Sequence, residues 1–125
     1  MEKTILLIED NMEMRENTAE ILELAQYRVL TATNGKEGVR LAHANLPDLI
    51  ICDIMMPELD GPGTLQRLRA LPGHSQTPVI FMTARAQAQE QQRFINLGAV
   101  AVIIKPFDPM ILAGQVRDIL AGAGS

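Results

Sequence analysis

Five short, almost wholly apolar runs punctuate the chain at residues 4–8, 28–33, 49–52, 79–82 and 100–104, and each is followed by a longer segment of helical hydrophobic period. A strand with one wet face alternates apolar and polar residues, whereas runs apolar throughout belong to strands covered on both faces. Covering both faces takes helices on both sides, and the strand–helix alternation supplies them. The chain therefore reads as an α/β domain: five βα units in a doubly wound, five-stranded parallel sheet with right-handed crossovers. At 125 residues and 47% apolar it is long enough for one real core, expected over residues 1–120. The stretch 121–125, Ala-Gly-Ala-Gly-Ser, is expected to be a flexible tail or the start of a linker.

Capping signals place the helices. The first is expected to start at Asp10 or Asn11, with Glu13 set for a capping box, and to bury Met14, Thr18, Ile21, Leu22 and Ala25. Asn34-Gly35 precedes a second helix over residues 36–44, and Pro62 opens a third that Pro72-Gly73 ends. A fourth is expected over residues 84–97, stopping at Gly98. Asp108-Pro109 caps a fifth that runs to Leu120.

Charged and hydroxyl residues sit where the runs end: Glu9 and Asp10 after the first, Asp53 after the third, Thr83 after the fourth and Lys105 after the fifth. In a parallel sheet all these ends share one edge, where ligand chemistry in open α/β folds gathers. The second strand ends without such a residue and is expected to be the outer neighbour of the first, in the order 2-1-3-4-5. Two carboxylates 4 Å apart repel by about 4 kcal/mol near a protein surface, so three require protons or a cation. Oxygen donors without His or Cys select a hard cation, and Mg²⁺ suits a site that also holds phosphate oxygens. With the metal in place Asp53 becomes a plausible nucleophile toward phosphorus. Lys105 and the Thr83 hydroxyl can then meet the phosphoryl oxygens. Pro106 after Lys105 invites a cis peptide bond.

Composition narrows the function further. The net charge is −4 with no Lys/Arg-rich run, which argues against direct nucleic-acid binding by this domain. No apolar stretch is long enough to span a bilayer, and the first residues lack signal-peptide character. The single Cys52 fits a reducing compartment, so a cytoplasmic location is expected. His43 and His74 lie away from the strand ends, which argues against zinc.

The chain resembles the receiver domain of two-component response regulators. The resemblance rests on Glu9-Asp10, the stretch from Asp53 through Met56-Pro57 to Asp60-Gly61, Thr83-Ala84, Leu97-Gly98-Ala99 and Lys105-Pro106-Phe107, all in register along essentially the whole chain. It implies a flavodoxin-like (βα)5 fold of the chemotaxis-regulator type. Asp53 would take a phosphoryl group from a sensor histidine kinase or a histidine phosphotransfer protein. Asp10 would hold Mg²⁺ directly and Glu9 through water, with Asp53 and the Met55 backbone carbonyl as further ligands. Thr83, Lys105 and the Ala84 backbone N–H would contact the phosphoryl oxygens. Such a domain accepts a phosphoryl group and passes a conformational signal to an output partner or domain; it is not a turnover enzyme. Met55 and Arg85 flank the site, and neither positions water, so the phosphoryl group is expected to be long-lived.

Receivers usually carry Tyr or Phe three residues before the lysine, but Val102 stands there here. The aromatic half of the usual switch is missing. The fourth helix has few large apolar anchors, so its first turns are expected to open cheaply and to alter the face made by helix 4, strand 5 and helix 5. A pseudo-receiver, an interaction module without a phosphorylation-driven switch, is the alternative reading. An aspartate-nucleophile phosphatase would need an acid at Met55, and an FMN carrier would not place Glu9-Asp10 in its phosphate loop. Asp60-Gly61 is assigned to turn structure.

Overall fold

The computed structural model describes residues 2–85 and 87–123. Along the chain run β1 (Thr4–Ile8), α1 (Met12–Leu24), β2 (Arg28–Ala32), α2 (Gly35–Asn45), β3 (Leu49–Asp53), α3 (Gly61–Arg69), β4 (Val79–Thr83), α4 (Ala88–Leu97), β5 (Ala101–Ile104) and α5 (Pro109–Ala123). The strands form one parallel sheet in the expected order β2-β1-β3-β4-β5.

Because side chains alternate across a strand, each apolar run feeds two cores. Leu6, Ile8, Ile50, Cys52 and Phe81 face one side, where they pack with Leu65, Leu68 and Phe94 from α3 and α4. Ile5, Leu7, Leu49, Ile51, Ile80 and Met82 face the other and pack with Leu22 of α1 and Leu112 and Val116 of α5. Gly38 lets α2 lie against β1: a Cβ there would collide with the Ile8 side chain. The pairs Ile8↔Cys52, Asp53↔Met82 and Thr83↔Ile104 align four strand ends at one edge.

Several boundaries differ from expectation. Asn11, not Asp10, caps α1, its side chain accepting the Met14 N–H at 2.8 Å, so Asp10 is left free and Glu13 completes no box with it. In α1 Ala19 is buried, while Ala25 lies exposed at the C-cap. Helix α4 starts at Ala88, not at residue 84. The Arg85 backbone N–H donates to the Thr83 hydroxyl at 3.1 Å, which satisfies it outside a helix, and Gln87 gives no side-chain cap. Helix α5 runs on to Ala123, so residues 121–123 of the expected tail are helical; 124 and 125 lie outside the described residues. No helix among the described residues is long and apolar enough to cross a membrane.

Candidate functional site

The residues that end β1, β3, β4 and β5 meet at the carboxyl edge. Ladder hydrogen bonds continue beyond the regular strands and fix them: Glu9 N–H to Ala32 O at 3.0 Å, Ile54 N–H to Met82 O at 3.0 Å, and Lys105 N–H to Thr83 O at 2.8 Å. Glu9 is fully buried, Asp53 and Thr83 nearly so, and Asp10 is exposed. Carboxylate oxygens of Glu9, Asp10 and Asp53 lie within 4.8 Å of one another. The Lys105 ammonium sits between two of them, donating to Glu9 Oε1 at 2.7 Å and lying 3.1 Å from Asp53 Oδ1. The Lys105-Pro106 bond is cis.

These contacts set the charges. Burial pushes the Glu9 carboxyl above the usual range; the Lys105 hydrogen bond and the Asn11 N–H oppose this, and the Asp53 charge reinforces it. Burial alone would lower the Lys105 ammonium, but its bond to Glu9 and the charges of Asp53 and Glu9 outweigh burial and hold it above its ordinary value. Lys105 therefore remains a cation. Buried Cys52 is pushed far up by desolvation and by the Asp53 charge, which leaves it an inert thiol.

One ammonium among three carboxylates leaves the cluster short of positive charge. The donors are all oxygen, His74 is bound elsewhere, and Asp10 opens to solvent, so the set fits a hard divalent cation such as Mg²⁺. His74 lies buried between the end of α2 and the loop before β4, with Nδ1 2.6 Å from Thr77 Oγ1 and Nε2 3.0 Å from Ala42 O. It is a packing residue. Asp60 is structural too, capping α3 by accepting the Gly63 N–H at 2.8 Å. Gly61 then presses against the backbone that carries Asp53; a Cβ there would lie 2.9 Å from Ile54 Cα and 3.1 Å from Asp53 O.

Residues 5–117 match the family model for the response regulator receiver domain. The chain belongs to that family. It is 37% identical to response regulator Rre1 of Synechocystis over 94% of its length, and 35% identical over 93% to the probable transcriptional regulator ycf27 of Guillardia theta. It spans about half the length of these relatives, 52% and 44%. Among solved structures, a putative response regulator from Chloroflexus aurantiacus is similar at a TM-score of 0.91 and 31% identity, covering 97% of this chain and 99% of that one. The receiver domain of a signal transduction histidine kinase from Syntrophus aciditrophicus is similar at 0.86 and 35% identity, covering 96% and 91%.

Some contacts around this receiver's site had no signal in the strand-end pattern. Arg15, on the first turns of α1, donates from Nη1 to the Glu9 carbonyl at 2.9 Å and reaches the Asp10 carbonyl at 3.5 Å. It holds the acidic loop by its carbonyls. The clue in sequence is a cation about one helical turn beyond the acidic pair. Across the site, Met55, Met56, Pro57, Pro62, Arg85 and Glu90 line a groove of about 430 Å³ that opens beside Thr83. Val102 is half-buried and packs on the core that holds Phe94, paired across the ladder with Phe81. Those two rings meet edge to face, 5.6 Å between centroids, so this face of the sheet keeps its own aromatic pair.

Proposed function

We propose that this receiver domain takes a phosphoryl group on Asp53 from a phosphohistidine of a sensor kinase or phosphotransfer protein. The observation that carries the reading is the convergence of the three carboxylates within 4.8 Å, with Lys105 already between Glu9 and Asp53. An Asp53 carboxylate oxygen attacks phosphorus while the P–N bond of the donor breaks, and the leaving imidazole keeps the electron pair. The product is an acyl phosphate on Asp53. Lys105 is positioned to follow the oxygen charge, and the Thr83 hydroxyl and the Ala84 N–H serve the remaining phosphoryl oxygens. Asp10, Asp53, the Met55 carbonyl and, through water, Glu9 would hold Mg²⁺, which supplies the divalent charge that lets anionic donor and acceptor approach.

Neither Met55 nor Arg85 positions a water for attack, so the phosphoryl group is long-lived and the domain is a signalling acceptor, not a turnover enzyme. The signal leaves through the face of α4, β5 and α5 to an output partner or domain. The domain makes no direct nucleic-acid contact of its own, and its place of action is the cytoplasm. Val102 favours the second reading, a pseudo-receiver that binds partners without a phosphorylation-driven switch.

Incubation with Mg²⁺ and acetyl phosphate, followed by intact mass, tests the proposal. One phosphoryl adduct is expected on the native chain, slow to decay, and none on Asp53→Asn. No adduct on the native chain favours the pseudo-receiver. Rapid phosphate loss overturns the long lifetime, and continuous turnover overturns the acceptor role.

A further inference from the structure

The groove beside Thr83 contains two guanidinium groups, and their tethers differ. Arg93 lies over the Phe94 ring, 5.7 Å from its centroid. Arg85 is held at its backbone, where its N–H donates to the Thr83 hydroxyl at 3.1 Å; its guanidinium makes an exposed pair with Glu90 at 3.4 Å. Glu90 stands in the first turn of α4, a helix with no side-chain cap and with Phe94 as its buried anchor. The Arg85–Glu90 pair is thus a strap across an otherwise lightly held helix start, and exposed pairs of this kind contribute little.

Phosphorylation changes what competes for that strap. With a divalent cation bound, three carboxylates and one ammonium are balanced. A phosphoryl dianion in place of the single Asp53 charge leaves one negative charge uncompensated. Lys105 is already committed to Glu9 and Asp53, while Arg85 follows β4 beside Thr83 and lines the groove. Guanidinium–phosphoryl contacts are charge-assisted and can be bidentate, which favours them over an exposed, single-contact carboxylate pair.

We infer that Arg85 is a further phosphoryl-binding residue that exchanges Glu90 for the phosphoryl group and so releases the first turn of α4. This rests on the phosphoacceptor reading and supplies it with a readout that needs no aromatic at position 102. The exchange links chemistry to conformation directly: on this proposal the guanidinium that reaches the phosphoryl oxygens leaves Glu90, so whatever stabilises one contact weakens the other.

The test is titration with beryllofluoride in the presence of Mg²⁺, read by amide hydrogen exchange, on the native chain and three variants. Arg85→Gln is expected to weaken the probe about tenfold, the loss of one charge-assisted contact. Glu90→Gln removes the competitor and is expected to tighten the probe severalfold, with residues 87–92 exchanging fast even without it. Arg85→Lys keeps the charge and falls between native and Arg85→Gln. In the native chain the probe is expected to speed exchange at 87–92. A purely structural strap predicts shifts of the same sign for Arg85→Gln and Glu90→Gln, and that result, or no shift in either, overturns the inference while leaving Asp53 as acceptor. If the native chain takes no probe, or Asp53→Asn takes it equally well, the phosphoacceptor reading falls and the inference falls with it.

Discussion

Helices α3 and α4 flank one groove on the same face of the sheet, yet they are held in different ways. Asp60 caps α3, the Thr64 hydroxyl donates to the Asp60 carbonyl at 2.7 Å, and Leu65 and Leu68 are buried beneath it. Its far end is tied by Arg69, which donates to the carbonyls of His74 at 3.1 Å and Thr77 at 2.6 Å. Helix α4 has no side-chain cap at its start, buries Phe94, and leaves Ile95 and Leu97 substantially exposed. One wall of the groove is part of the core and the other rests on it. The proposed function uses both: Asp53 precedes the rigid wall and keeps its geometry, whereas a signal would leave through an element whose alternatives lie close in energy.

The largest effect that can break this comparison is a core truncation on the rigid side. Leu68→Ala is expected to cost about 2–5 kcal/mol of global stability, whereas Ile95→Ala on α4 should cost under about 1 kcal/mol; denaturant unfolding measures both. Equal costs would mean that the two walls are equally built into the core. Next comes the α3 cap. Asp60→Ala should lower stability by about 1 kcal/mol and loosen the loop behind Asp53, seen as faster amide exchange at Gly63.

Glu9 tests whether the rigid side is itself optimised for stability. Its raised carboxyl means that the folded chain binds more protons than the unfolded one above the ordinary carboxylate range. Stability therefore falls as pH rises through that window toward neutrality. Glu9→Gln removes this slope and leaves Lys105 paired with Asp53, and should raise metal-free stability at neutral pH by roughly 1 kcal/mol while weakening Mg²⁺ binding. Thermal unfolding across pH, with and without Mg²⁺, reads both effects. The smallest change acts on the loose wall. Gln87→Asp supplies the missing cap and should add about 0.5–1 kcal/mol, confined to amide protection in the first turn of α4.

How much of this was legible in the chain differs from element to element. The apolar runs fixed the strands to within a residue because strands covered on both faces leave no polar alternation to misread. Asn34, Asp108 and Gly98 marked helix ends that the structure keeps, since their side-chain or backbone requirements are local. The start of α4 was not legible. Ala84 and the residues after it are good helix formers, and nothing in their spacing announces the hydrogen bond from the Arg85 N–H to Thr83 that satisfies this donor outside a helix. Asp10 and Asn11 were equivalent caps on paper. The bond of Asn11 N–H to Glu9 Oε2 and of Met14 N–H to Asn11 Oδ1 decided between them, and so freed Asp10 for the cluster.

The sequence alone determined the class of fold and the identity of the residues at the carboxyl edge, because hydrophobic period and strand-end position are one-dimensional properties; the order of the strands came partly from the family resemblance. Only the tertiary structure decided that Lys105 bridges Glu9 and Asp53, that Arg15 holds the acidic loop by its carbonyls, and that Arg85 is strapped to Glu90. Each of these depends on distances between side chains from separate elements and on how far burial strips them of water. Spacing along the chain carries neither.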